Sequence, residues 1–139
     1  MKVECLSCKK ELNKSLNQIK KFPNHYCNNK CQQNFYYKNF INNWLNGIES
    51  GTKSAGWQVQ ISSHIRRYML EYNNYECSQC GWDKLHPDGK SPLHIDHIDG
   101  NAINNTFTNL RVLCPKCHSL TLTFGSRNKN STRYITSTR

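Results

Sequence analysis

Long apolar runs are missing from this chain of 139 residues, whose longest apolar stretches are only a few residues and whose mean hydropathy is −0.81. No segment approaches the roughly 20 apolar residues that a transmembrane helix needs, so we expect no membrane partner. The first residues, MKVECLSCKK, also lack the apolar core of a secretion signal. We therefore expect a cytoplasmic protein whose thiols stay reduced.

The chain contains eight cysteines in four close pairs, and in a reducing compartment this pattern favours metal binding over disulfides. Each pair is a short knuckle that supplies two thiolates, and a tetrahedral zinc ion needs four. Sequence order predicts two structural zinc sites, although a crossed pairing of the knuckles stays open. The first site would consist of Cys5, Cys8, Cys27 and Cys31, and the second of Cys77, Cys80, Cys114 and Cys117.

Acidic residues are scarce, with nine Asp and Glu against 19 Lys and Arg, which gives a formal net charge of +10. Two zinc ions bound by eight thiolates would lower this charge by four, to about +6. The chain remains basic, and a basic chain favours a polyanionic partner such as nucleic acid.

Methionine, a common axial ligand of haem, is rare in this chain. This matters because the segment Cys114-Pro-Lys-Cys117-His118 has the residue pattern of a c-type haem attachment site. Such a haem protein would need export, an apolar cavity and an axial ligand. The only methionines are Met1 and Met69, and both cysteines already have partners in the second predicted zinc site. The haem interpretation is therefore rejected.

Hydrophobic periodicity predicts one helix over residues 31–47 and another over 58–72. The segment between them, residues 48–57, contains two glycines and two serines with little apolar pattern. We interpret it as a linker.

The second half of the chain predicts the order strand, loop, strand, helix. Residues 92–98, PLHIDHI, have strand-like composition, and a turn follows them; NLRVL at 109–113 predicts a second strand. Pro115 suits the first turn of a helix that Gly125 could end. His118 directly follows Cys117, so we expect the second zinc to fix its position in the first helical turn.

The residues Asp96-His97, then Asn109, then His118 resemble the signature of the HNH endonucleases, which share a ββα-metal motif. The stretches HIDHIDGN and NLRVLCPKCHS are similar to the corresponding sequences of small phage and bacterial HNH proteins that begin with a separate cysteine-pair finger. The resemblance implies a small, zinc-stabilised α+β fold, with a ββα-metal nuclease module preceded by an N-terminal zinc finger and helices. The resemblance also implies that the protein is located in the cytoplasm of a bacterium or of a phage-infected host cell.

By this resemblance, Asp96 and His118 bind one catalytic divalent ion, His97 is the general base, and Asn109 holds the loop and orients His97. The chemistry agrees, because hydrolysis of a phosphodiester needs a deprotonated water and charge stabilisation on the phosphate. One carboxylate and one imidazole leave most of an octahedral shell open, which suits Mg²⁺ or Mn²⁺.

Two features depart from a simple match. Some HNH enzymes have a further histidine one turn after the last one, but this position is Leu122, so we expect a weaker metal site. A regular strand would also direct Asp96 and His97 to opposite faces. We therefore expect the strand end to twist or bulge.

With the resemblance, the chain divides into four parts: an N-terminal four-cysteine zinc finger plus helix at 1–47, the linker at 48–57, the HNH nuclease domain with the second zinc at 58–125, and a basic C-terminal tail at 126–139. Five basic residues are predicted nucleic-acid contacts: Arg66, Arg67, Arg111, Arg127 and Lys129.

The predicted function is that of a metal-dependent DNA endonuclease that acts on double-stranded DNA. It would nick one strand, or cut both strands as a homodimer with one protomer for each. The alternative is a zinc-dependent DNA-binding protein with a vestigial nuclease site, and RNA remains a possible substrate. Homing, restriction and phage packaging all use this core, so the fold does not choose a biological role.

Overall fold

The computed structural model describes residues 1–132, which form six short strands and four helices. Backbone contacts divide the chain into two compact units, residues 1–42 and residues 43 onward. The last part of the predicted tail, residues 133–139, lies outside the described residues. In the described part, every helix is too short or too polar to cross a bilayer. The four-part division drawn from the sequence stays a prediction.

The first unit begins with a hairpin, continues with a short helix and ends within a long one. Ser15 starts the short helix with a capping box, because its hydroxyl accepts from the Gln18 N–H while the Gln18 side chain accepts from the Ser15 N–H. The elements are β1 (Lys2–Glu4), antiparallel to β2 (Glu11–Asn13), then α1 (Leu16–Lys21) and α2 (Asn29–Leu45).

The α2 helix was predicted over residues 31–47 and runs over Asn29–Leu45. Gly47 has φ +77°, and its N–H donates to the Trp44 carbonyl. A glycine in this left-handed conformation is the common way to end a helix, so the stop signal in the sequence was interpreted correctly.

The sequence interpretation of residues 48–72 differs from the structure. The sequence predicted a linker followed by a helix that starts at residue 58. In the structure, this part of the chain forms a hairpin of β3 (Thr52–Ala55) and β4 (Gln58–Ile61), followed by α3 (Ser63–Tyr72). Gly56 has φ +63° in the two-residue turn between the strands, a conformation that tight hairpins require. The glycine that indicated a linker therefore makes a turn.

The part of the chain that resembles the HNH endonucleases, called here the nuclease-like part, forms a two-stranded sheet and a short helix. Its elements are β5 (His94–His97), β6 (Leu110–Leu113) and α4 (Pro115–Ser119). The strands pair antiparallel, and a 3₁₀ turn at Phe107–Asn109 leads into the second one. Val112 and Leu113 on β6 and Ile65 on α3 are completely buried. The predicted order of strand, loop, strand and helix is confirmed.

The last helix is shorter than predicted, because it ends at Ser119 rather than near Gly125. Thr121 donates its hydroxyl to the His118 carbonyl, and β-branched residues such as Thr121 and Thr123 extend helices poorly. The chain then forms a 3₁₀ turn at Gly125–Arg127.

The start of the predicted tail lies against the loop that follows β5. The Asn128 side-chain amide donates to the Gly100 carbonyl at 2.8 Å, and the Thr132 hydroxyl donates to Asn101 Oδ1 at 2.6 Å. Gly100 has φ +75°, and a Cβ at this position would overlap the Asn128 side chain. Asn128 and Thr132 therefore attach the start of the predicted tail to this loop, although most side chains of residues 126–132 are exposed.

Candidate active site and metal centres

The eight cysteines form two clusters with the pairing that sequence order predicts. In each cluster, the four Sγ atoms lie within 4.8 Å of one another. A tetrahedral zinc ion with Zn–S bonds near 2.3 Å requires S···S distances of about 3.8 Å. Cys8 and Cys27 in the first cluster, and Cys80 and Cys114 in the second, have Sγ atoms 3.7 Å apart. Both clusters therefore fit structural zinc.

The thiols of the first cluster differ in how readily they ionise. Backbone N–H groups, chiefly that of Cys8, lower the pKa of the Cys5 thiol to about 6. The opposite holds for Cys27, whose neighbour Cys31 and whose burial raise its pKa to about 12. Four converging thiols cannot all ionise without a positive charge among them, and zinc supplies it by displacing their protons.

The second cluster connects three pieces of the nuclease-like part: the knuckle at 77–80, the end of β6 and the first turn of α4. Ser78 holds the knuckle on β6, because its N–H and its hydroxyl both donate to the Val112 carbonyl, at 2.9 and 2.8 Å. The Cys114 thiol caps α4 by accepting from the Cys117 N–H. His118 follows directly, so the position of its backbone is set by two zinc ligands on its own turn.

Asp96, His97 and His118 line one cavity of about 330 Å³. His118 Nε2 lies 3.7 Å from Asp96 Oδ1. The β5–β6 pairing runs without interruption from His94 to His97, so the expected bulge is absent from this strand. Asp96 and His97 reach the same cavity because it lies at the end of β5, where the chain turns.

Asp96 is 6% exposed, and one of its two carboxylate oxygens is already occupied. Arg111, its cross-strand neighbour, donates Nε–H to Oδ2 at 2.7 Å. The other oxygen, Oδ1, faces His118. Arg111 was predicted only as a nucleic-acid contact, and the sequence interpretation missed this ion pair although the strand register would have indicated it.

The His118 ring is held on two sides. It stacks on His94 with centroids 4.6 Å apart and an interplanar angle of 18°, and Phe124 meets it edge-on at 5.3 Å. Burial, followed by the charges of His118 and Arg66, lowers the pKa of His94. A neutral His94 can stack without repelling a cation beside His118. Leu122, at the position of the missing histidine, is 77% exposed.

Asn109 hydrogen-bonds to the loop after β5. Its Nδ2 donates to Asp99 Oδ1 at 2.9 Å and to the Asn104 carbonyl at 2.8 Å, while its Oδ1 accepts from the Asp99 N–H. Burial would raise the pKa of Asp99, but the hydrogen bonds from Asn104, Asn101 and Asn109 lower it. An ionised carboxylate at residue 99 therefore anchors the loop.

The side chain that contacts His97 is Asn105, whose Oδ1 lies 2.6 Å from His97 Nε2. Asn104 and Asn105 are neighbours in this loop, and the resemblance assigned neither of them a role at His97. No local pattern separates the two asparagines, because the path of the loop decides which one faces the histidine. Asn109 holds the loop on which Asn105 is carried.

The remaining predicted DNA contacts lie on different elements. Arg66 and Arg67 are on α3, where Arg66 donates to the Ser91 carbonyl at 3.4 Å and Arg67 pairs with Glu71 at 2.9 Å. Arg127 and Lys129 are exposed after the last helix. Their role in binding nucleic acid stays a prediction.

A zinc-tied ββα unit that directs an aspartate and two histidines into one cavity defines the class of ββα-metal nuclease modules. Residues 77–121 match the family model described as HNH endonuclease, so this part of the chain is similar to the HNH endonucleases. The suspected resemblance and the small zinc-stabilised α+β fold are thereby confirmed.

One curated relative is the H-N-H endonuclease F-TflIV of Escherichia phage T5, which is 43% identical over 83 residues. The alignment covers 55% of this chain and 36% of the relative. The chain thus spans about a third of the length of the relative it matches. Among solved structures, no significant match was found.

Proposed function

We propose that this chain is a metal-dependent endonuclease that hydrolyses phosphodiester bonds in DNA. The observation that carries the proposal is the convergence of Asp96 Oδ1 and His118 Nε2, 3.7 Å apart, in a cavity that His97 also lines. The match of residues 77–121 to the HNH family and the name of the phage relative support the same chemistry. The basic charge of the chain supports a nucleic-acid substrate.

The donor set fits a hard divalent cation. Two donors on one ion with bonds near 2.1 Å can lie up to about 4.2 Å apart, so Asp96 Oδ1 and His118 Nε2 could hold one ion together. A carboxylate oxygen and one imidazole leave the other positions for water and phosphate oxygens, as Mg²⁺ and Mn²⁺ prefer. When bound, the ion would stabilise negative charge on the phosphate and on the leaving oxygen.

The protein side chains have separate tasks in this proposal. His97 accepts the proton of the water that attacks the phosphorus, a contribution typically of about 10² to 10⁴ in rate. The leaving group is the 3′ oxygen, so the products carry 5′-phosphate and 3′-hydroxyl ends. Arg111 keeps Oδ2 of Asp96 occupied, and this fixes the direction of Oδ1. The stacked ring of His94 and the edge of Phe124 hold the His118 imidazole.

A single site of this kind cuts one strand. We therefore propose that the protein nicks double-stranded DNA as a monomer, and that a double-strand break requires a second protomer on the other strand. The zinc clusters do not take part in the reaction, because all four positions around each ion would be filled by sulfur. Their task is to hold the fold.

Incubation of supercoiled plasmid with the purified protein tests the proposal. We expect nicked circles with Mg²⁺ or Mn²⁺ and none without added divalent ion. Asp96→Asn should lower the rate about 100-fold or more, since even partners outside the ligand shell contribute 10- to 100-fold. Asp88→Asn is the matched control, because Asp88 is exposed and pairs with Lys90, two residues further along the same loop.

Two other results would redirect the proposal. DNA binding that weakens strongly with salt but never leads to cutting would indicate the vestigial alternative. Faster cleavage of RNA than of DNA in parallel reactions would change the substrate class.

A further inference from the structure

Asn105 is a buried polar residue at the back of the active site. It is 2% exposed and lies in the loop between the two strands of the ββα unit. Its side-chain oxygen meets His97 Nε2 at 2.6 Å, and its Nδ2 donates to Thr52 Oγ1 at 2.8 Å. Its backbone carbonyl accepts the indole N–H of Trp44, also at 2.6 Å. Both polar atoms of this side chain therefore have a hydrogen-bond partner.

This arrangement determines which nitrogen of His97 carries the hydrogen. The amide of Asn105 directs its carbonyl oxygen Oδ1 at His97 and its Nδ2 at Thr52. A carbonyl oxygen can only accept a hydrogen bond, so Nε2 of His97 must donate. Nδ1 is then left with its lone pair free. In a neutral imidazole, the hydrogen bond made by one nitrogen sets the role of the other.

We propose that Asn105 is a positioning residue that fixes His97 in the Nε2–H tautomer, so that Nδ1 accepts the proton of the attacking water. The inference rests on the proposed nuclease function, because it concerns the same general base. It adds a residue outside the three-letter signature, and it assigns the reacting atom of His97.

The groups that hold Asn105 come from a part of the chain that precedes the matched domain. Thr52 is the first residue of β3, paired with Ile61 of β4. Trp44 lies at the end of α2, is 4% exposed, and meets Tyr68 and Phe107 edge-on at 5.8 and 6.1 Å. The HNH match covers only residues 77–121. The orientation of the base therefore depends on residues that the family signature does not contain.

Gly51 places Thr52 in this network. It has φ +75°, and a Cβ at this position would overlap the Ile65 side chain. Its carbonyl accepts from the Ser62 N–H at 2.8 Å, which closes the base of the hairpin next to α3. The hydroxyl of Thr52 is thus presented from a fixed backbone.

The direct test is nitrogen NMR of the histidine rings in the full-length, zinc-loaded protein. At neutral pH, we expect the wild-type His97 signals to report the Nε2–H tautomer, and in Asn105→Leu we expect a mixture or the other tautomer. This readout does not require activity. A wild-type His97 in the Nδ1–H form would overturn the inference even if the protein cuts DNA well.

Kinetics give a second test with saturating plasmid and saturating Mn²⁺. Asn105→Leu should lower kcat about 100-fold or more, since a wrong tautomer of a catalytic histidine is costly. Its KM for DNA should stay within about twofold, because the side chain is buried behind the site. Asn105→Asp should keep most of kcat and shift the acid limb of the pH–rate profile upward by about one unit or more, because a carboxylate stabilises the protonated imidazole.

Thr52→Val keeps the shape of the side chain and removes only the acceptor for Nδ2, so it should lower kcat without changing KM. Thr108→Val, the same change at an exposed position of the same unit, should leave both unchanged. If Asn105→Leu does not fold, the variants Asn105→Asp and Thr52→Val test the inference in its place. An unshifted pH profile in Asn105→Asp together with wild-type kcat in Thr52→Val would overturn the inference, whereas a wild-type protein that never cuts would overturn the proposed function itself.

Discussion

His97→Ala is expected to lower the rate of metal-dependent nicking by about 10² to 10⁴. On the proposed mechanism, the variant lacks the group that takes the proton from water, while Asp96 and His118 remain in place to hold the ion. DNA affinity should change little, because the imidazole is one of many groups that line the cavity. The rate of conversion of supercoiled to nicked plasmid, measured with enzyme in excess, gives the effect on the chemical step.

The matched control is His86→Ala, because His86 is exposed and its backbone, not its side chain, bonds to Lys90 and Gly89 in the same loop. The wild-type rate should also fall as the solution is acidified, since a protonated imidazole has no lone pair to offer. The residual rate of His97→Ala should not fall in the same way. Equal rates for wild type and His97→Ala would remove His97 from the role of general base.

Loss of the second zinc is expected to have the other large effect. Cys80→Ser removes one of four ligands, and structural zinc contributes on the order of 10 kcal/mol to the folding of small modules. Without it, the end of β6 and the first turn of α4 are no longer tied to the knuckle at 77–80, and His118 loses its fixed position. We expect zinc content to fall from two ions to one and cleavage to disappear.

Cys8→Ser is the matched comparison, since Cys8 and Cys80 are both exposed thiols, one in each cluster. It should also cost one zinc ion. It should leave nicking at saturating DNA close to the wild-type rate, because Asp96, His97 and His118 all belong to the second unit. Full activity of Cys80→Ser with one zinc ion bound would contradict the assigned task of the second cluster.

The metal clusters and the ββα order were predictable because short-range spacing determines them. A pair such as Cys114 and Cys117 can face one ion only when the backbone turns between them, and Pro115 indicates that this turn begins a helix. The position of His118 next to a zinc ligand followed from the same spacing. The turn within each cysteine pair and the position of His118 require no knowledge of distant parts of the chain, whereas the pairing of the knuckles was predicted from their order alone.

The rest depended on contacts between distant residues. Gly56 could belong to a linker or to a hairpin turn, and only the pairing of Thr52 with Ile61 decides between them. The hydrogen bond between His97 and Asn105 joins two residues eight apart through an irregular loop. Thr52, which accepts a hydrogen bond from Asn105, lies 53 residues away from it in the sequence. Neither contact leaves a period or a spacing in the sequence.

The location of a bound Mn²⁺ ion tests the central claim most directly. Crystals of the zinc-loaded protein soaked with Mn²⁺ should show anomalous scattering from manganese between Asp96 Oδ1 and His118 Nε2, within bonding distance of both atoms and beside His97. The same soak of Asp96→Asn should show weaker or no manganese there. Manganese bound elsewhere in the wild-type protein, with the pocket of residues 96, 97 and 118 left without it, would contradict the account.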